Sequence, residues 1–473
     1  MPANVSPAVI VARFLKANHY DETLAAFLAE AGLPEDAADT KPGDWTIEQV
    51  LEEKKQYDSS LLFEKKGDGL LTGWTQPAPS KPVEPDTRIS SNILCVSGAA
   101  GLEDTHEAVF ITAADKSWSQ ISTTEPFGLT NSIYNAHASP VLSISSVPGP
   151  YIFSTSMSGQ LMLHDGRGRL LDKCRDHLKY AVQVVSSVTR NGKWIVATAG
   201  WDQKVHIYAP EQELAHRFEP AGSSVDDDEA PHLEGLLGDP VHTITLPSNP
   251  ESMVIVQHPD TLDSYLIIAR RDSTFLYYYC ITPTSSESSS SRTSEATYSV
   301  QETGKQNLAP HSNAWIAFTP SCLAVSPADP TLLAVATSHL PHMKLIIVRL
   351  LFPSSTDEHP QTQASQTRAA LAVQDREDNA IKLHVSTMSP QTPYSTPQVV
   401  WRPGGSGVFV NADDGVVRGV DTDNGKVVSL LRAHEVGSKV RTLYAGYERN
   451  GNGKSEILIS GGFDKKVFIW RVT

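Results

Sequence analysis

At 473 residues the chain exceeds one ordinary domain and can bury a large core. Its formal net charge of −15 and pI near 5.5 argue against a general grip on nucleic acid or on an anionic membrane surface, since both need a basic face. The apolar run at 345–352 is interrupted by Arg349 and too short to cross a bilayer, and no secretory leader opens the chain, so cytoplasm or nucleus is the expected location. Cys95, Cys174, Cys280 and Cys322 are widely spaced without CxxC pairing, which predicts buried reduced thiols.

In 7–32, Ile10, Phe14 and Leu15 fall at helical spacing, and Leu24, Phe27 and Leu28 do so again. Asn18 and His19 mark a turn between the two helices. Asp21 is expected to cap the second helix, with Gly32 and Pro34 ending it. Two such short helices cannot enclose a core, so their apolar faces need another surface, most simply a second copy. The order Phe14-Leu15, Tyr20, Thr23, Phe27, Glu30, Gly32 resembles the LisH motif, with His19 where that motif usually carries glycine. The resemblance implies a dimerisation module over 1–40, with Ile10, Phe14, Leu15, Tyr20, Leu24, Phe27 and Leu28 in contact. Docking on the chain's own second domain is the competing reading. Residues 41–66 read as an additional helix with Ile47, Val50, Leu51 and Tyr57 on one face. Residues 67–90, rich in Gly and Pro, read as an extended linker.

From about residue 90 the pattern changes to short β-rich runs between turns. The last, ILISGGFDKKVFIWRV, puts Asp464 in a tight turn between two apolar strands, with Ser460 before it, Trp470 after it and His434 upstream. The set recurs as His177, Thr198, Asp202 and Tyr208. It recurs partially as His137, Ser154, Ser158 and His164, as Asp115 alone, and as Asp414 with Val420 in the Trp position. The spacing and residues resemble WD repeats. The resemblance implies a mainly β fold: a seven-bladed WD-repeat β-propeller over 91–473, preceded by the small α-helical LisH module. In the degenerate middle, 241–246, 265–269 and 274–281 are expected as strands of a fourth repeat. Residues 322–327, 332–337 and 344–352 are expected as strands of a fifth. The last repeat stops after its third strand, so a closing strand is expected within 69–91. Insertions at 223–234, 283–299 and 353–379 are too polar to pack and are expected as mobile surface loops.

Recurrent His, Ser/Thr and Asp superficially suggest a catalytic triad, but an active site normally occurs once. The WD resemblance instead implies structural tetrads, His177–Thr198–Asp202–Tyr208 and His434–Ser460–Asp464–Trp470. No P-loop, zinc-type spacing or HExxH is present, so no cofactor or metal is expected. DGRGR at 165–169 reads as a hairpin loop. Trp118, Trp194, Trp201, Trp315 and Trp401 are available for partners, most of them expected in strand or turn packing. The combined resemblance implies a non-enzymatic scaffold, homodimeric, that binds protein partners in a multiprotein complex. A substrate receptor or scaffold of a ubiquitin ligase is the alternative, although Trp470-Arg471 lacks the Asp that Cullin adaptors carry next. A propeller enzyme is a further alternative.

Overall fold

The computed structural model describes residues 6–41, 44, 46–48, 74, 76–98, 109–123, 125–134, 136–148, 151–166, 168–210, 235–284, 297–310, 318–353, 363–450 and 453–472. Two compact units divide the chain at residue 63.

The first unit holds α1 (Pro7–Ala17), α2 (Asp21–Ala31) and a 3-10 turn, Glu35–Ala38. Pro7 opens α1, where its missing N–H costs nothing. Asn18 ends it, and its side-chain amide donates to the Phe14 carbonyl at 2.9 Å. His19 then adopts φ 59°, the left-handed turn that glycine makes most easily, at the position where the LisH motif usually has glycine. Asp21 is the first residue of α2 rather than its cap, a position held by Tyr20; the carboxylates of Asp21 and Glu22 face the positive end of the helix. Gly32, at φ 62°, closes α2. The core is small: Ala12, Leu28 and Ala38, with Leu24, Phe27 and Leu33 against them. Of the helix expected over 41–66, only 44 and 46–48 are described, with Ile47 and Glu48 helical.

The second unit is a seven-bladed propeller, each blade a four-stranded antiparallel sheet. Blades one to six span 93–134, 141–174, 181–245, 250–307, 320–390 and 399–432. Blade seven combines Val440–Asn450, Gly453–Gly462 and Val467–Arg471 with Lys81–Val83 from before the ring. That closing strand pairs Lys81 with Arg471 and Val83 with Ile469. Pro82 is tolerated there because the strand lies at a sheet edge. The first strands of neighbouring blades pack side by side in unbroken succession round the ring. Second strands such as Trp194–Gly200 are buried along their whole length, which is why they read as continuous small and apolar runs. Each large hydrophobic cluster spans two neighbouring blades, for example Val184, Trp194 and Tyr208 with Tyr151 and Phe153.

A ring of polar contacts also ties first strands together around the channel. Thr442 Oγ1 accepts the Val96 N–H at 3.0 Å, Ser143 Oγ the Val184 N–H at 3.2 Å, and Ser252 Oγ the Leu323 N–H at 3.0 Å. Gln183 brackets Met253 through both its backbone groups, at 2.8 and 3.0 Å. At the same register the Cys322 thiol faces the Val399 carbonyl at 3.9 Å and Cys95 faces the Ile144 backbone, and burial pushes both thiols up to about 11. Asn411 Nδ2 donates to the Val440 carbonyl at 2.8 Å to join blades six and seven.

Three expectations need correction. Residues 241–246 do not begin the fourth repeat. His242–Thr245 is the outer strand of blade three, and blade four begins with Pro250–Gln257. The long insertion between the third and fourth strands of blade three hid that assignment. Most of 353–379 is not a loop: α3 (Gln363–Ala380) runs through it to one residue beyond its end. Its Ala, Gln, Arg and Glu are strong helix formers despite their polarity. The end of α3 is fixed: Gln374 donates to the Pro310 carbonyl at 2.6 Å, and Glu377 accepts the Asn307 N–H at 2.7 Å. The margins of 283–299 extend a hairpin in which Pro283 pairs with Tyr298 and Thr284 with Thr297. Residues 211–234 and 285–296 lie outside the described residues.

Connections alternate between the two ends of the ring. Loops leading into first strands share the upper end with the turns between second and third strands. All three insertions join third to fourth strands, in blades three, four and five, and so start from the lower end.

Candidate interaction surfaces

Blade seven assembles a full tetrad. His434 Nδ1 lies 2.9 Å from Asp464 Oδ2 and Nε2 lies 2.8 Å from Ser460 Oγ, while Trp470 Nε1–H donates to the same hydroxyl at 2.9 Å. Gly462 makes the approach feasible, because a Cβ there would stand 2.5 Å from Asp464 Oδ1 and 2.8 Å from His434 Nδ1. Burial works against the Asp464 carboxylate, but the His434 ring and the N–H groups of Glu435 and Lys466 outweigh it and hold its pKa below the usual range. The connectivity copies a triad, yet Ser460 is fully buried and its oxygen is already shared, so no substrate can reach it.

Blade three brings His177 Nδ1 within 2.9 Å of Asp202 and Nε2 within 2.9 Å of Thr198. Gly200 plays the part of Gly462: a Cβ there would fall 2.2 Å from His177 Nδ1. Tyr208 differs from Trp470, since its hydroxyl donates to Asp176 at 2.8 Å. His206, which the repeat pattern does not mark, packs its ring 4.5 Å from His177 and bonds Thr243 at 2.9 Å. Phe468 occupies the corresponding place in blade seven, so a histidine there is detectable by aligning the two blades. Ligand atoms of His177, Asp202 and His206 lie within 4.8 Å of one another. Both His177 nitrogens are engaged, however, and an ion would have to break one of those bonds.

The other blades keep fragments. In blade two His137 Nε2 meets Ser154 at 2.8 Å, but Ser158 turns to Ser156 and Gln160. His137 Nδ1 and His164 Nδ1 are therefore buried without a partner among the described residues. Burial pushes the two rings down, to about 4 and about 3. In blade six Arg418 takes Asp414 at 2.7 Å. In blade one Asp115 caps the turn by accepting the Ser117 N–H at 3.0 Å. At 165–169, Asp165 accepts the Arg169 N–H at 2.8 Å, bridging a hairpin turn.

The tetrads also shape the upper end. Asp202 Oδ2 accepts the Leu178 N–H at 2.9 Å, and Asp464 Oδ2 the Glu435 N–H at 3.1 Å. Each bond fixes a loop whose side chains face outward, Leu178 81% exposed and Val436 99%; in the loop before blade six, which Asp413 holds through Ser395, Tyr394 is 89% exposed. Trp201 and Phe463 stand in the turns beside Asp202 and Asp464, and Tyr180 stacks on Trp201 at 5.2 Å. Leu340 and Met388 add to the same end at blade five. Among the described residues, Val241, Leu262 and Val373 of the large exposed apolar side chains lie in connections that leave from the lower end, and Leu430 lies on the outer strand of blade six. Trp118, Trp194 and Trp401 are buried in blades, and Trp315 lies outside the described residues.

In the helical unit Ile10, Phe14, Leu15, Leu24 and Phe27 are half-buried, Tyr20 is exposed, and Leu28 lies in the small core. Trp74 belongs to no repeat and to neither helix pattern. It lies against Phe409 and over Gly407 and Gly419, where a Cβ would be 2.2 and 2.4 Å from the indole. The buried Arg402 covers its ring at 4.6 Å and pairs with Glu456 at 2.7 Å. A lone tryptophan in a Gly- and Pro-rich linker was the available signal.

A family model described as UCP007778, beta-propeller domain, matches residues 74–471, and one described as UCP007778, LisH domain, matches residues 8–34. No curated protein matches the chain.

Proposed function

Because the chain belongs to the UCP007778 family, a LisH domain followed by a β-propeller domain, we propose that it is a non-catalytic scaffold of a multiprotein complex. The upper end of the propeller receives protein partners, and α1 and α2 pair two copies of the chain. The concentration of exposed apolar side chains on the upper-end loops carries this reading. Leu178, Tyr180, Trp201, Val436 and Phe463 stand on loops anchored by buried tetrads, so little ordering entropy is lost on binding. Aromatic side chains held this way are the usual anchors of protein interfaces. Pairing is supported by the first unit, whose core is too small to bury Ile10, Phe14 and Leu15. Two weakly binding propellers on one dimer gain avidity wherever the linkers span both sites. Four widely spaced thiols suit the reducing cytoplasm or nucleus.

The test is quantitative affinity capture from the native host with three baits. These are the full chain, a Leu178→Ser/Trp201→Ala/Phe463→Ser variant, and a Leu262→Ser control at the lower end. Partners should be lost from the triple variant alone. Equal recovery of the same proteins by all three baits would sink the upper-end reading.

A further inference from the structure

We propose that His177, Asp202 and His206 of blade three form a site for one divalent transition-metal ion, zinc by the chemistry of the donors, just inside the upper end of the propeller. The site goes beyond the partner reading and does not depend on it. Strand register places the donors. Thr198, His206 and Thr243 stand directly opposite one another on adjoining strands, so their side chains share one face of the blade. His177 reaches that face from the loop before the blade: its Nε2 lies 2.9 Å from Thr198 Oγ1 and its ring 4.5 Å from that of His206. Asp202, in the turn between the second and third strands, meets His177 Nδ1 at 2.9 Å. One ligand atom from each of the three lies within 4.8 Å of the others.

His206 is 5% exposed, its Nδ1 is held by Thr243 at 2.9 Å, and its Nε2 is buried with no hydrogen-bond partner among the described residues. The two nitrogens of an imidazole diverge, so with Nδ1 turned to the outer strand, Nε2 faces the side on which His177 stands. A buried polar atom left unmatched destabilises the fold. Blade seven avoids that cost by setting Phe468 opposite Ser460, with its ring 4.8 Å from His434. Phenylalanine therefore meets the packing need, and the histidine of blade three adds a lone pair that packing does not require.

The surrounding bonds form the outer shell of a metal site. A histidine ligand usually gives its second nitrogen to an oxygen that fixes the ring, as Thr198 does for His177 and Thr243 for His206. Asp202 Oδ2 is fixed by the Leu178 N–H at 2.9 Å. The bond that an ion breaks is the one between His177 Nδ1 and Asp202 Oδ1, and both of its ends become ligands, so neither is left unpaired. The His177 ring stays neutral: its proton moves to Nε2 and is donated to Thr198 Oγ1. Four-coordinate zinc at about 2.1 Å sets its ligand atoms about 3.4 Å apart. The His177–Asp202 pair is already within that distance, and the third donor has at most about 1.4 Å to travel. Two imidazoles and a carboxylate select borderline divalent ions over calcium or magnesium. The bound ion joins the loop that carries Leu178 and Tyr180 to the turn that carries Trp201 and to the third strand, stiffening that part of the upper end.

The experiment is calorimetric titration of zinc chloride into the full-length protein stripped by a chelator, with X-ray absorption of the zinc-loaded protein to read the ligands. One zinc per chain should bind with a sub-micromolar Kd, in a shell of two imidazoles and oxygen without sulfur. His206→Phe, which copies blade seven, should weaken that binding about a hundredfold or more, and Asp202→Asn about tenfold or more. Thermal melts without metal check that both variants fold, and the shell measured on the unaltered protein decides if either does not. No zinc bound below about 10 µM, a shell with sulfur or with fewer than two imidazoles, or unchanged affinity in folded His206→Phe overturns the proposal.

Discussion

His434 and His137 show how a single neighbour decides what a buried imidazole does. His434 has Asp464 on one nitrogen and Ser460 on the other. His137 has Ser154 on one and nothing among the described residues on the other. Uncompensated burial keeps His137 and His164 neutral, with pKa values near 4 and 3 against an ordinary 6.5. Their folded values lie below the unfolded one. The stabilisation is therefore complete above pH 6.5 and is lost as pH falls toward about 4, because the unfolded chain takes up protons that the folded blade refuses. His164→Phe should remove part of that loss, roughly 1–3 kcal/mol by pH 4, without weakening the protein at pH 7. Urea unfolding at pH 7, 5.5 and 4.5 checks it, and an unchanged pH slope in the variant contradicts it. Asp464 and Asp202 act in the same direction at lower pH: their depressed values make stability fall as acid protonates them. These residue roles were partly legible. A spacing of His, Ser and Asp repeats in the sequence, but the turning away of Ser158 is a matter of local geometry that no spacing encodes.

At the scale of elements, closure of the ring depends on a short segment far from it in sequence. Lys81–Val83 completes blade seven by backbone bonds, and Trp74 anchors the same segment between Arg402 and two glycines. Trp74→Ala should cost roughly 2–3 kcal/mol by emptying that niche. Denaturant unfolding measures the loss, and a cost under about 0.5 kcal/mol would mean that the strand pairing alone closes the ring. An edge strand was inferable from the missing fourth strand of the last repeat, because sheet topology demands a partner. The anchor was not, since its glycines lie more than 300 residues away. The same limit explains blade three, whose outer strand is separated from its sheet by a long insertion. In α3 the polar composition points to a loop, while the local helix propensity of its Ala, Gln, Arg and Glu decides the outcome.

At the scale of the molecule, function is distributed between two units with different physics. The propeller is held by seven interblade clusters and a polar ring around its channel, which leaves its upper loops free to carry exposed apolar side chains without loss of stability. The helical unit has a small core of its own, and the proposed pairing of two copies is what would cover its remaining apolar surface. Repeat number and strand periodicity were legible in the sequence because they follow from local pattern. Which side chains gather at one end was not, since that depends on how turns from different blades converge. The claim that the helices join two propellers is tested most directly by multi-angle light scattering at micromolar concentration. The full chain should weigh twice its 51.4 kDa, and deletion of residues 1–40, or Phe14→Ala with Phe27→Ala, should yield monomers. A full-length monomer under those conditions, or a dimer that survives the deletion, would contradict it.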